Sequence, residues 1–145
     1  MEFHPDGDKV LITTTSKELQ KFGWKMSTKN TPAAYLTGLL CGVKAKAAKI
    51  KTAITDIGLN RSQKGGVIYS ALKGAIDSGL DIPHNETALP EESRISGKHI
   101  AEYAKSMDKS KQGNQFSKYI KTGIKPEDIS KQFESAKAKI LKEKQ

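Results

Sequence analysis

Residues 31–58 read TPAAYLTGLLCGVKAKAAKIKTAITDIG, and a change of period inside this stretch decides the fold class. Its first part has a helical rhythm. Thr31 is a candidate N-cap with Pro32 at the first helical position, where a missing N–H costs nothing; Asn30 serves as the cap if the boundary shifts by one. Leu36, Leu40, Val43, Ala47 and Ile50 recur at helical spacing and predict a buried stripe. Ala34, Gly38, Cys41, Gly42 and Ala45 form a flank of small side chains that lets the helix approach a sheet or another backbone closely. Lys44, Lys46 and Lys49 fall on the wet side. From residue 52 the pattern changes, and TAITDIG (52–58) reads as a buried strand.

Upstream, residues 8–15 alternate Val10, Ile12 and Thr14 with Leu11 and Thr13, as a strand does. HPDGDK (4–9) has the chemistry of a tight hairpin turn, with Pro5 setting φ and Asp6-Gly7 tolerating positive φ. Residues 16–21 predict a short helical turn with Ser16 as N-cap, and 22–30 a loop. Downstream, LNRSQKGG is a polar loop. A second helix is expected over 66–78, with Ile68, Leu72, Ala75 and Ile76 inward and Gly79 after its end. The order strand, helix, strand, helix implies an α/β layer, with a right-handed crossover if the two strands pair in parallel.

From DIPHNETALPEESRISG (81–97) onward the pattern is looser, and an extended surface segment is expected. Ile100, Tyr103, Ala104 and Met107 predict a short amphipathic helix. Phe116, Tyr119 and Ile120 suggest a brief turn. A final helix is expected over 126–142, with Ile129, Phe133, Ala136 and Ile140 as its stripe. The chain thus divides into an α/β core, 1–82, and an extended, mostly helical basic tail, 83–145, expected to dock on a partner or on the first part.

The composition narrows the partners. Of 145 residues, 36% are hydrophobic and 28% charged, enough for one modest core. No apolar run approaches the roughly 20 residues of a membrane helix, and the N-terminus lacks a secretory pattern. The single Cys41 excludes an intramolecular disulfide and a cysteine zinc site, which fits a reducing, cytoplasmic home. The formal net charge of +9 points to a polyanion, most often nucleic acid. The excess is uneven: +5 over 1–51, −2 over 52–97 and +6 over 98–145.

Two features carry nucleic-acid chemistry. Lys17, Lys21, Lys25 and Lys29 are spaced to contact phosphates, and Phe22 or Trp24 could stack on an unpaired base. The bland alternative is a solvated loop with Trp24 tucked onto the core. Thr13 and Thr15 share one side of the first strand, where hydroxyls can bond phosphate or 2′-OH groups; ordinary β-propensity is the alternative. An enzymatic reading attaches to TDIGLNR (55–61). Asp56, late in a strand, is placed like the first metal-binding carboxylate of ribonuclease-H-like nucleases. That chemistry needs further carboxylates at the same spot, and Asp77, Asp81, Glu91 and Glu92 lie on no neighbouring strand. Asp56 bonding backbone amides or Arg61 is the simpler account. His4, His84 and His99 have no ligand spacing, and no phosphate-loop or dinucleotide pattern is present. No cofactor is expected.

STKNTPAAYLTGLLCGVKAKAAKIKTAITDIGLNR (27–61), ALKGAIDSGLDIPHNE (71–86) and RISGKHIAEYAK (94–105) closely resemble the archaeal type of the 5S-rRNA-binding family of the large ribosomal subunit, called L eighteen, with L five as its eukaryotic counterpart. The resemblance covers roughly residues 7–105. It implies a small mixed β-sheet with helices packed on one side. It also implies a structural, non-enzymatic protein that anchors 5S rRNA in the central protuberance, beside large-subunit rRNA and ribosomal proteins. Carried onto this sequence, it makes Thr13, Thr15, Lys17, Lys21, Lys25, Lys29 and Asn30 contact candidates, followed by Arg61 and Lys64. Members of the family usually carry a basic arm and a strand ahead of the turn matched by PDGD, so this chain is expected to start at the end of that strand. The rival readings are the Asp56 nuclease and a protein-interaction module whose tail helices bind an acidic partner.

Overall fold

A computed structural model describes residues 1–107, Phe116, Tyr119 and 125–142. Its centre is helix α1, Thr31–Ala47. Asn30, rather than Thr31, is the cap: its Oδ1 accepts from the Ala33 N–H at 3.0 Å, and Pro32 occupies the first turn. Leu36, Leu40 and Val43 are buried as their spacing predicts, and Leu39 and Tyr35 join them. Ala47 is exposed and Ile50 lies beyond the helix. A helix apolar on several sides sits inside the molecule, and α1 is covered on two of them.

Helix α2, Val67–Asp77, covers the first side. The small-residue flank of α1 is what lets it approach. A Cβ built on Gly38 would run into the Ala71 carbonyl, and one built on Gly74 into the Tyr35 carbonyl, so the two backbones touch. Leu72 and Ala75 are buried at this end with Ala45, Leu80 and Ile82. Ile68 and Ile76, expected inward, are half-buried.

The other side of α1 is covered by the C-terminal half. After α3 (Glu92–Ile95) and α4 (Lys98–Ser106), a 3-10 turn at Pro126–Asp128 leads into α5, Ile129–Lys142. Ile129, Phe133, Ala136 and Ile140, the four stripe residues read from the sequence, are all buried. They form one core with Leu19, Trp24, Tyr35 and Leu36. Burying a side chain of the size of Phe133 or Ile140 stabilises by about 1.5–3 kcal/mol. The stretch 81–97, expected to be extended surface, instead holds a short 3-10 turn (Glu86–Ala88) and α3, and it buries Ile82, Pro90 and Ile95. The expected turn at Phe116, Tyr119 and Ile120 lies mostly outside the described residues; Phe116 itself is buried.

The β-sheet is where sequence and structure part. Among the described residues there is no strand ladder, only two isolated bridges: Glu2 with Lys9, antiparallel, and Thr52 with Asp81, parallel. The α/β expectation, with its small mixed sheet, is therefore overturned, and helices carry the architecture. The turn at 4–9 does form. Glu2 and Lys9 exchange backbone hydrogen bonds at 2.8 and 2.9 Å around Gly7, whose N–H donates to the His4 carbonyl. The alternation at 10–15 is also visible, with Ile12 and Thr14 half-buried and Val10, Leu11, Thr13 and Thr15 exposed. What is missing is pairing. The stretches 10–15 and 52–58 instead both line a cavity of about 410 Å³, Thr14 from the first and Thr55, Asp56 and Ile57 from the second, together with Gly38, Cys41 and Ala71 of the two helices. Alternation specifies which way side chains point, but a sheet exists only where a second backbone satisfies the first. Ile54, expected in a buried strand, is 89% exposed.

Candidate nucleic-acid interface

The segment 13–30 wraps the α1–α5 core. Its backbone is anchored by Leu19, Trp24 and Met26, all buried, and between these anchors the lysines face water. A 3-10 turn, Ser16–Phe22, opens the segment, with Thr15 rather than Ser16 at its N-cap position. The Thr15 N–H donates to Glu18 Oε1 at 2.9 Å. Lys44, reaching across from α1, pairs with the other Glu18 oxygen and donates to the Thr13 carbonyl at 3.3 Å. The Lys44 hydrogen bond, seconded by the Thr15 amide, holds the Glu18 carboxyl below the usual carboxylate range.

This pairing has an electrostatic consequence. Glu18 is the sole acid between Asp8 and Asp56. Once Lys44 neutralises it, nothing on the segment offsets Lys17, Lys21, Lys25 and Lys29. All four are exposed, and none belongs to an ion pair among the described residues, where the pairs are Lys44–Glu18, Lys73–Asp77 and Lys131–Asp128. The result is a row of ammonium groups on a backbone pinned from below, which suits contact with a chain of phosphates.

The remaining sequence candidates fall differently. Thr13 and Thr15 are exposed at the start of the segment. Asn30 is half-buried and uses its side-chain oxygen to cap α1. Trp24 is 1% exposed, and its Nε1 donates to the Ser27 carbonyl at 3.1 Å, so its ring belongs to the core and not to the surface. Phe22 is half-buried against the same core. Arg61 and Lys64 are exposed in the loop before α2. The cavity relates that loop to the first segment, since Thr14 and Asn60 both line it.

Asp56, the carboxylate of the nuclease alternative, closes a local turn: its Oδ1 accepts from the Gly58 N–H at 2.8 Å. Among the described residues, no three His, Cys, Asp or Glu side chains stand together in a way that could hold a metal ion. No described helix is long and apolar enough to cross a membrane.

Two contacts were not legible in the sequence. The Ser27 N–H donates to the Tyr119 hydroxyl at 3.0 Å, across 92 positions of chain, and fixes the loop just after Trp24. Lys139 of α5 places its ammonium against Gly23, the residue that ends the 3-10 turn. The first has no local signature. The second had a faint one, because Lys139 directly precedes the fully buried Ile140 and so sits at the edge of the stripe.

The family described as "Ribosomal large subunit proteins 60S L5, and 50S L18" matches residues 1–51 and 43–85 of the chain. The large ribosomal subunit protein uL18 of Methanothermobacter thermautotrophicus is 48% identical over 138 residues, covering 95% of this chain and 72% of that protein. The uL18 of Methanosphaera stadtmanae is 53% identical over 135 residues, covering 93% and 70%. The uL18 of Caldivirga maquilingensis is 47% identical over 144 residues, covering 94% and 68%. Identity at this level along nearly the whole chain leaves one conclusion: the chain belongs to the family of large-subunit ribosomal proteins that comprises 60S L5 and 50S L18.

Proposed function

We propose that this chain anchors 5S rRNA in the central protuberance and performs no chemistry of its own. As a member of its family it is a structural component of the large ribosomal subunit in the cytoplasm, with rRNA and ribosomal proteins as its partners. The choice of 5S rRNA rests on the resemblance of residues 27–61, 71–86 and 94–105 to the 5S-rRNA-binding family, and the contact residues rest on the basic segment. The observation that carries the reading is the row Lys17, Lys21, Lys25 and Lys29, exposed and free of ion pairs among the described residues while Lys44 neutralises the one acid between them. Phosphate contacts of this kind position a protein on folded RNA, and hydroxyls such as those of Thr13 and Thr15 add 2′-OH or phosphate bonds. Arg61 and Lys64 extend the surface past the cavity.

Binding of the full chain to 5S rRNA, measured from 50 to 300 mM KCl, tests this. With about five phosphates neutralised, log K falls against log salt with a slope of roughly −4. Replacing Lys21, Lys25 and Lys29 together by Ala brings the slope to roughly −2 and leaves the thermal midpoint in place. An affinity indifferent to salt, or unchanged in the triple variant, rules out this surface.

A further inference from the structure

Gly23 ends the 3-10 turn with φ +85°, its N–H donating to the Gln20 carbonyl. One side chain reaches it: a Cβ there would come within 2.9 Å of the Lys139 Nζ, the flexible end of that side chain. The ammonium of Lys139 thus lies against the link between Lys21 and Lys25. Packing fixes the backbone that carries it, because the next residue, Ile140, is completely buried in the core shared with Leu19 and Trp24. Two features of α5 bear on why a lysine stands there. A cation in the last turn of a helix is favoured by the helix dipole, which accounts for Lys139 and Lys142 being basic. The ammonium also reaches Gly23, at the carbonyl end of a neighbouring turn, which favours a cation there but already carries two lysines. No acid among the described residues pairs with Lys139 to offset the repulsion.

We infer that Lys139 is a phosphate-contacting residue that completes the RNA surface of the first segment, so that α5 and the 3-10 turn grip the same stretch of RNA backbone around Gly23. The inference rests on the proposed function, and it assigns the C-terminal helix a direct part in it. The unpaired charge beside Gly23 is matched by a phosphate, and the buried stripe of α5 serves to hold the lysine in place. An acidic protein segment has the same sign of charge, so the test must separate it from RNA.

The experiment compares the full chain with Lys139→Gln, Lys139→Arg and Lys131→Gln for binding to 5S rRNA across the same salt series. Lys131 is the control: it lies on the same helix eight residues away, about 12 Å, and pairs with Asp128. Lys139→Gln is expected to weaken binding about five- to tenfold at 0.1 M salt and to make the slope shallower by about 0.7–0.9, the share of one phosphate. Lys139→Arg is expected to restore both, and Lys131→Gln to change neither. Trp24 emission should be the same in all four proteins, showing the core undisturbed. If the parent binds with a steep slope but Lys139→Gln matches it, the inference fails alone and an acidic protein becomes the fitting partner for Lys139. Equal losses in Lys139→Gln and Lys131→Gln would reduce the effect to net charge and overturn it too. If the parent shows no salt-dependent binding, the proposed function falls and takes the inference with it.

Discussion

The Tyr35 hydroxyl donates to Asp77 Oδ2 at 2.8 Å, while Lys73 holds the other oxygen of the same carboxylate at 2.7 Å. This three-residue link ties the second turn of α1 to the last residue of α2, beside the place where the two backbones touch. Burial first, and then the bond to Asp77, push the Tyr35 phenol well above its ordinary value of 10. The folded chain therefore keeps a proton that the unfolded chain releases above pH 10. The stability this gives is fully present below about pH 10 and is lost as the pH rises further. Tyr35→Phe is expected to cost about 0.5–1.5 kcal/mol at neutral pH, the net value of one hydrogen bond. It should also flatten the alkaline fall in stability. Urea midpoints at pH 7, 9 and 10.5 for both proteins measure each part; parallel curves would show that Tyr35 is not the group responsible.

The glycines of the α1–α2 seam make a sharper claim, because helix propensity pulls against it. Gly to Ala inside an exposed helix usually stabilises by about 1 kcal/mol. At Gly74 the added methyl would meet the Tyr35 carbonyl and at Gly38 that of Ala71, both main-chain atoms that cannot swing aside. Gly74→Ala and Gly38→Ala are each expected to destabilise by about 1–3 kcal/mol, in the range of overpacked cores. A raised thermal midpoint in either variant would mean that the helices stand further apart than described.

How much of this was legible in the sequence depends on whether a signal is local. The stripe Ile129, Phe133, Ala136, Ile140 was readable because four apolar residues at helical spacing leave one face to bury. The small residues of α1 announced a close neighbour for the same reason. The failure at 10–15 and 52–58 has the opposite cause. Alternation and β-branched residues describe a strand's own pleat, whereas the sheet depends on a partner backbone, and these two stretches, though both line the cavity, do not supply one to each other. The candidate site was legible in its lysines, whose spacing is sequential. It was not legible in Trp24, whose burial depends on α5 more than 100 residues on, nor in the neutralisation of Glu18 by Lys44, 26 positions away.

That long-range dependence gives the last prediction. Trp24 is the single tryptophan of the chain, and it is buried in a core that Phe133, Ala136 and Ile140 of α5 help to close. Its emission therefore reports whether α5 is docked. Phe133 packs its ring on Tyr35, with centroids 5.5 Å apart. Phe133→Ala is expected to cost about 3–5 kcal/mol, the usual range for deleting a core aromatic ring. A chain ending at residue 124 should go further, shifting Trp24 emission to the red and opening it to quenching by iodide, an anion that the nearby lysines attract. RNA affinity should fall in step with quenching, because Leu19 and Trp24 pin the backbone that presents Lys21 and Lys25. Protected Trp24 emission in the shortened chain would show that the 13–30 segment holds its shape without α5, and the C-terminal helix would then have no part in presenting those lysines.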